Sequence, residues 1–253
     1  MKQRIITGAI LIAAIVPPIY LGGIYLEILL GVFVVAVVYE FIKVTNDQNI
    51  WSIFGLMVLY ILFNLFITDQ WFIETTGFLI ILLYTVNVFS VNFDVMKISY
   101  LFMFAVFILL ALRAFNDLYA INVLVIVYLL LITYLTDSFA YFGGMLFGKH
   151  KLNPRISPKK TIEGSIIGYL GGVLTGLLFG LIFLSLPKAL IIISSLLIPI
   201  FSQIGDLAMS SVKRHFACKD FSNIFPGHGG VLDRIDSLTF SLLIFNILVR
   251  MMS

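Results

Sequence analysis

Charge is what this sequence has least of. Of its 253 residues only 11% are Asp, Glu, Lys or Arg and 61% are hydrophobic, whereas about a quarter of an ordinary soluble domain is charged. So few charges exclude a water-faced globule; the chain belongs in a bilayer. Cysteine is almost missing too. The single Cys218 rules out an intrachain disulfide and a multi-cysteine zinc site, and it is most simply a bystander. No basic stripe with interleaved aromatics is present, so the formal net charge of +3 reads as topology and anion binding, not as a nucleic-acid surface. A P-loop GxxxxGK[ST], a Rossmann GxGxxG and an HExxH are all absent, so any bound nucleotide is held by a membrane-specific design.

What is plentiful is apolar sequence in long runs. Stretches near 5–22, 24–42, 51–68, 71–91, 98–116, 119–136, 164–186, 188–205 and 235–252 each approach the roughly 20 residues that a crossing needs. They predict an all-α polytopic membrane protein of about nine transmembrane helices, the join between the first two being the weakest. Lys2 and Arg4 precede the first run as in a signal peptide. Pro17 and Pro18 follow it without a small-residue cleavage site, which predicts a retained first helix.

The organisation expected is a region 1–136 of about six spans, then a catalytic membrane region 137–253 with loops 138–163 and 206–234. With a cytoplasmic N-terminus, thirteen of the sixteen Lys and Arg residues fall on the cytoplasmic side, all but Arg113, Lys188 and Arg250. Both long loops then share that face. In the first region Glu27, Glu40 and Glu74 are isolated carboxylates read as anchoring or helix packing, with a functional role for an intramembrane acid as the alternative, and no site is placed there.

After Asp137 the texture changes. TDSFAYFGGMLFGKHKLNPRISPKKTIEG ends a span, runs through a Gly-containing turn, and then presents Lys149, Lys151, Arg155, Lys159 and Lys160. Ser157-Pro158 suits the cap and first position of a helix, which would set Lys159, Lys160 and Thr161 in a first turn favourable to an anion. Gly164, Gly168, Gly172, Gly176 and Gly180 recur every fourth residue and predict a packing groove, within the chain or between subunits. Further on, if the helix containing Pro199 continues past the membrane boundary, Asp206, Ser210 and Lys213 form one stripe at i, i+4 and i+7.

The densest charge lies in KDFSNIFPGHGGVLDRID, residues 219–236, which holds three Asp, a Lys, an Arg, a His and three Gly. Lys219 stands beside Asp220, and Arg234 between Asp233 and Asp236. Asp233 and Asp236, spaced i, i+3, point the same way on a helix; hard oxygens with no Cys and little His favour Mg2+ over zinc. Pro226, Gly227, Gly229 and Gly230 let backbone approach a ligand. His228 either bonds a phosphate, assists proton transfer or braces the turn. Carboxylates, cations and Gly-rich backbone are the parts that phosphoryl or nucleotidyl transfer requires.

The pattern SxVKRxxxxKDxSxxFPGHGGxxDRxD, from Ser210 to Asp236, resembles the signature of the phosphatidate cytidylyltransferases, and QIGDLAMS and SPKKTIEG resemble further motifs of that family. The resemblance covers about 137–236. It implies reaction of phosphatidic acid with CTP to give CDP-diacylglycerol and pyrophosphate, Mg2+ dependence, a second, monovalent cation such as K+, an active site open to the cytoplasm and a homodimer. Carried onto this chain, it places the metal on Asp206 and Asp233, with Asp236 joining them and Asp220 close by. Lys213, Arg214, Lys219 and Arg234 would bind the triphosphate and lipid phosphate, with Lys159 and Lys160 as further phosphate ligands. The reading from residues alone keeps two rivals: another CTP-using membrane enzyme such as a polyprenol kinase, and a transporter, which many spans and intramembrane acids would also fit.

Overall fold

In hydrocarbon a backbone must satisfy its own N–H and C=O groups, so apolar runs of this length fold as helices. A computed structural model of the protein describes residues 13–45, 51–66, 71–90, 93–225 and 229–252. Residues 13–21 are helical. Then come α1 (Gly23–Thr45), α2 (Trp51–Phe66), α3 (Phe72–Phe89), α4 (Val95–Ile121), α5 (Val123–Phe147), β1 (Lys151–Asn153), β2 (Ser157–Thr161), α6 (Ile162–Phe183), α7 (Lys188–His215) and α8 (Leu232–Met252). The weak join between the first two expected spans is a break at Gly22 and Gly23, whose φ of 66° and 51° is open to glycine at no steric cost.

Among the described residues seven helices, α1 and α3 to α8, are long and apolar enough to cross a membrane. The protein is therefore a helical polytopic membrane protein. The expected span 51–68 is present as the shorter apolar helix α2, and the expected span 5–22 lies partly outside the described residues.

The fold departs from expectation after Asp137. Instead of ending there, α5 continues to Phe147, straight through the expected glycine turn. Gly143 and Gly144 serve close packing and not turning: an added Cβ would meet Ile167 Cβ at 2.7 Å and Thr161 Oγ1 at 2.8 Å respectively. Ser157-Pro158 does not start a helix either. Ser157–Thr161 is strand β2, antiparallel to β1 with Lys151 opposite Thr161 and Asn153 opposite Ser157. The cap of α6 is Thr161, whose hydroxyl accepts from Gly164 N at 3.2 Å. Strand alternation therefore separates the two lysines expected side by side: Lys159 is exposed and Lys160 is half-buried.

Two compact units make up the chain, one from Met1–Arg113 with Asp220–Asp233, the other from Ala114–Lys219 with Arg234–Ser253. In the first, Val34, Val37 and Val38 of α1 are fully buried, and Phe41 stacks on Phe104 at 3.6 Å. Arg113 donates from Nε and Nη2 to the Asn64 carbonyl at 3.1 and 2.9 Å, capping the end of α2.

In the second unit the five glycines of α6 are all buried. An added Cβ at Gly168 would sit 2.7 Å from Ala140 Cβ on α5, and at Gly176 2.7 Å from Ser195 Oγ on α7. The expected groove is thus filled by this chain's own helices, while Ile166, Leu170, Leu174 and Leu178 form the exposed ridge opposite. Leu129, Ile132, Ile198 and Phe245 are central to the core of this unit.

Candidate active site

The second unit carries charge where α7 outruns its apolar part. The helix does run on to His215, so Asp206, Ser210 and Lys213 share a face. Ser210 donates from Oγ to Asp206 Oδ1 at 3.3 Å, and Lys160 of β2 donates to Asp206 Oδ2. One turn on, Lys213 Nζ stands 3.5 Å from Asp236 Oδ2 of α8, and both side chains are nearly buried. Gly205 admits this approach, since an added Cβ would lie 2.7 Å from the Phe240 ring of α8.

Asp137, on the continued part of α5, joins the same group. Its Oδ2 accepts from Ser237 Oγ at 3.1 Å, and its carboxyl interacts electrostatically with Asp206, Asp236 and Lys160. Four elements thus bring three aspartates and two lysines together. The sequence reading took Asp137 only as a span end; an acid inside what proves to be a continuous apolar helix was the available signal.

In the first unit two carboxylates hold the described residues 221–225 and 229–233. The backbones of Phe225 and Gly229 pair in both directions at 3.0 and 3.1 Å, and Gly229 has φ 81°, a left-handed conformation that favours glycine. Asp233, in the first turn of α8, accepts at Oδ2 from Phe221 N and Gly230 N, each at 2.9 Å. Glu40 of α1 accepts at Oε1 from Ser222 Oγ at 2.6 Å and Val231 N at 2.8 Å, and at Oε2 from Leu232 N at 2.8 Å. Glu40, read from the sequence as anchoring or helix packing, thus reaches the segment after Asp220 from the early spans.

The remaining expected residues are distributed as follows. Arg214, expected on phosphate, donates from Nε to Ile156 O at 3.2 Å and from Nη1 to Cys218 O at 2.7 Å, which ties the hairpin to the end of α7. Lys159, Lys219, Asp220 and Arg234 are exposed, and the Arg234 carbonyl accepts from Tyr134 Oη at 3.0 Å. His228, with Pro226 and Gly227, lies outside the described residues.

The donor chemistry of Asp206, Asp233 and Asp236 is hard oxygen throughout and suits Mg2+, which is usually held by one or two carboxylates together with substrate phosphates and water. Among the described residues no three His, Cys, Asp or Glu side chains converge into a protein-only metal cage. Asp206 and Asp236 are each paired with an ammonium group, of Lys160 and Lys213 respectively, an arrangement suited to a polyanion that shares its ligands with a cation.

Fold and site together define a polytopic helical membrane protein with an ionisable cluster where β2, the middle of α5, the last turns of α7 and the start of α8 meet, too localised on charged side chains for a scaffold. The model of the cytidylyltransferase family matches residues 2–252. The phosphatidate cytidylyltransferase of Bacillus subtilis (strain 168) is 31% identical over 254 residues, covering 95% of this chain and 94% of the relative. That of Staphylococcus haemolyticus (strain JCSC1435) is 31% identical over 260 residues, 100% of both chains, and that of Staphylococcus aureus (strain N315) is 32% identical over 262 residues, 98% and 99%. The chain belongs to the cytidylyltransferase family.

Proposed function

We propose that the protein is a phosphatidate cytidylyltransferase, joining CTP and phosphatidic acid into CDP-diacylglycerol with release of pyrophosphate. The observation that carries this reading is that relatives bearing that name match the whole length, so the Asp206–Lys213 stripe and the 219–236 loop both lie within the matched region. The geometry supports it with carboxylates and ammonium groups interleaved at Lys160, Asp206, Lys213 and Asp236.

The reaction is an in-line displacement. A phosphate oxygen of phosphatidic acid forms a bond to the α-phosphorus of CTP, and the bond from that phosphorus to the bridging β-oxygen breaks, releasing pyrophosphate. A phosphate monoester is largely ionised near neutral pH, its second pKa being about 6, so no strong general base is needed. Lys160 and Lys213, with the exposed Lys159, Lys219 and Arg234, bind and orient the phosphates and offset charge on the departing pyrophosphate. Arg214 acts at one remove, by holding the hairpin that carries Lys159 and Lys160. Gly229 and Gly230 would let backbone approach the ligand, their own N–H groups being held by Phe225 O and Asp233 Oδ2.

Mg2+, held by Asp206, Asp233 and Asp236 with Asp220 nearby, would supply further neutralisation at the triphosphate. A monovalent cation such as K+ and a homodimer belong to the same reading. So do nine spans with a cytoplasmic N-terminus in the cell membrane, which put the site at the cytoplasmic face, as the bias of thirteen cationic residues among sixteen supports.

The test is pyrophosphate release by purified protein in mixed micelles of phosphatidic acid with CTP and Mg2+, alongside measurement of CDP-diacylglycerol. Both products should form in equal amounts and be lost without Mg2+ or in Asp233→Asn. Release of CDP, with a supplied polyprenol phosphorylated, would replace the reading with a kinase; activity of Asp233→Asn near wild type would remove Asp233 from the site.

A further inference from the structure

Glu40 is buried completely, with 0% of its surface exposed, while Glu27 and Glu74 are exposed. Its carboxylate does not pair with a cation in the contacts described above. It receives three hydrogen bonds, all from the segment that follows Asp220: a hydroxyl from Ser222 and the backbone N–H groups of Val231 and Leu232. Leu232 opens α8 and Val231 immediately precedes it, at the helix start where N–H groups have no partner inside the helix and the helix dipole favours a negative charge. Capping of this kind is normally done by the residue just before a helix. Here it is done by a helix 191 and 192 residues away in sequence.

The fit is close enough to specify the loop residue. A Cβ added at Gly230 would lie 2.5 and 2.6 Å from the two Glu40 oxygens, so only glycine lets the loop close over the carboxylate. Ser222 also accepts from Ile224 N at 3.2 Å, which passes the constraint into the arm leading to Phe225. Asp233 holds the opposite side of the same loop through Phe221 N and Gly230 N. The two carboxylates therefore divide the loop between them: Asp233 takes Gly230, and Glu40 takes the two residues after it.

We infer that Glu40 is a positioning residue of the cytidylyl-transfer site: from the first unit's α1 it fixes Ser222, Val231 and Leu232, and with them the direction in which α8 presents Asp233. Both oxygens act as acceptors, a role a carboxylate fills and a carboxamide fills only by half, because its NH2 would face an N–H group. An apolar packing role would tolerate that change; a positioning role would not. The inference rests on the proposed reaction for its kinetic arm, and its structural arm is independent of it.

The experiment compares full-length wild type, Glu40→Gln, Glu40→Ala, Gly230→Ala and Glu40→Ala/Gly230→Ala in detergent micelles, by amide hydrogen exchange over residues 229–236 and by steady-state kinetics, the cycle being read from the two alanine singles and their double. Glu40→Gln should speed exchange at Val231 and Leu232 and lower kcat, each by about tenfold or more, with KM for CTP and phosphatidic acid within about threefold of wild type. Gly230→Ala should reproduce both effects, and it keeps the test decisive where Glu40→Gln does not fold. In the double variant the clash is gone, so the two losses should fall well short of multiplying. Unchanged exchange, or faster exchange with unchanged kcat, would overturn the inference. Absence of turnover in wild type would sink the proposed reaction, while the exchange data would still decide whether Glu40 holds the loop.

Discussion

Replacing Lys213 by Met removes one charge from a pair whose side chains keep only 9% and 12% of their accessible surface, with Nζ 3.5 Å from Asp236 Oδ2. At that separation two unit charges attract by about 5 kcal/mol in a medium of effective dielectric near 20. Little of this attraction is net stabilisation, since both groups were desolvated to make it. The cost appears when one partner goes: about 3–5 kcal/mol, because the remaining charge stays buried. The two single variants should not be equal. Asp236 also faces Asp137, so Asp236→Asn relieves a repulsion as it breaks the pair, whereas Lys213→Met leaves the aspartates with less compensation. Lys213→Met should therefore lose more stability than Asp236→Asn, and the double variant should lose less than the sum by about 1–3 kcal/mol. Equilibrium unfolding in mixed detergent micelles containing SDS, followed by far-ultraviolet circular dichroism, measures all three. Raising salt to about 0.5 M should barely change the coupling, since a buried pair is poorly screened. A Lys213→Met loss below about 1 kcal/mol, the size typical of exposed pairs, would refute the argument and mean that water reaches this end of α7 freely.

Two further expectations concern backbone and packing. Ala217, just past the end of α7, has φ 54°, and the turn it makes lets Cys218 N reach Lys213 O at 2.9 Å; Ala217→Gly should raise stability by about 1 kcal/mol, and a loss in the same unfolding assay would contradict the left-handed turn. Gly172→Ala would press a methyl against Thr136 Oγ1 and Pro199, costing about 1–3 kcal/mol, whereas Gly77→Ala on α3 has open space and should gain up to about 1 kcal/mol, so equal melting shifts would refute the packing account.

What the sequence made legible was periodic. Asp206, Ser210 and Lys213 could be placed on one stripe because helical spacing alone sets which residues share a face, and the five glycines of α6 likewise. The hairpin was not legible. Ser-Pro is an ordinary helix opening, and only the pairing of Lys151 with Thr161 decides for a strand. Extension of α5 past Asp137 depends on Ile167 and Thr161 filling the spaces over Gly143 and Gly144, contacts that no local pattern announces. Glu40 was hidden for the same reason at greater range, since its partners lie 182 to 192 residues along the chain. Its rarity as an intramembrane acid marked it for attention without saying what it would meet.

The length of α7 carries one more consequence. Its 28 residues extend about 42 Å, while the hydrocarbon layer is about 30 Å thick. With Lys188 at one surface, Asp206 comes about 27 Å along the axis and Lys213 about 38 Å, so the helix works as a depth gauge. On that scale Asp206 falls close to the far boundary of the layer and Lys213 about 11 Å beyond Asp206, where it is covered by protein. The stripe of Asp206, Ser210 and Lys213 thus straddles a boundary between two solvents, and shortening the helix by one turn between Pro199 and Asp206 would draw Asp206 under the oil.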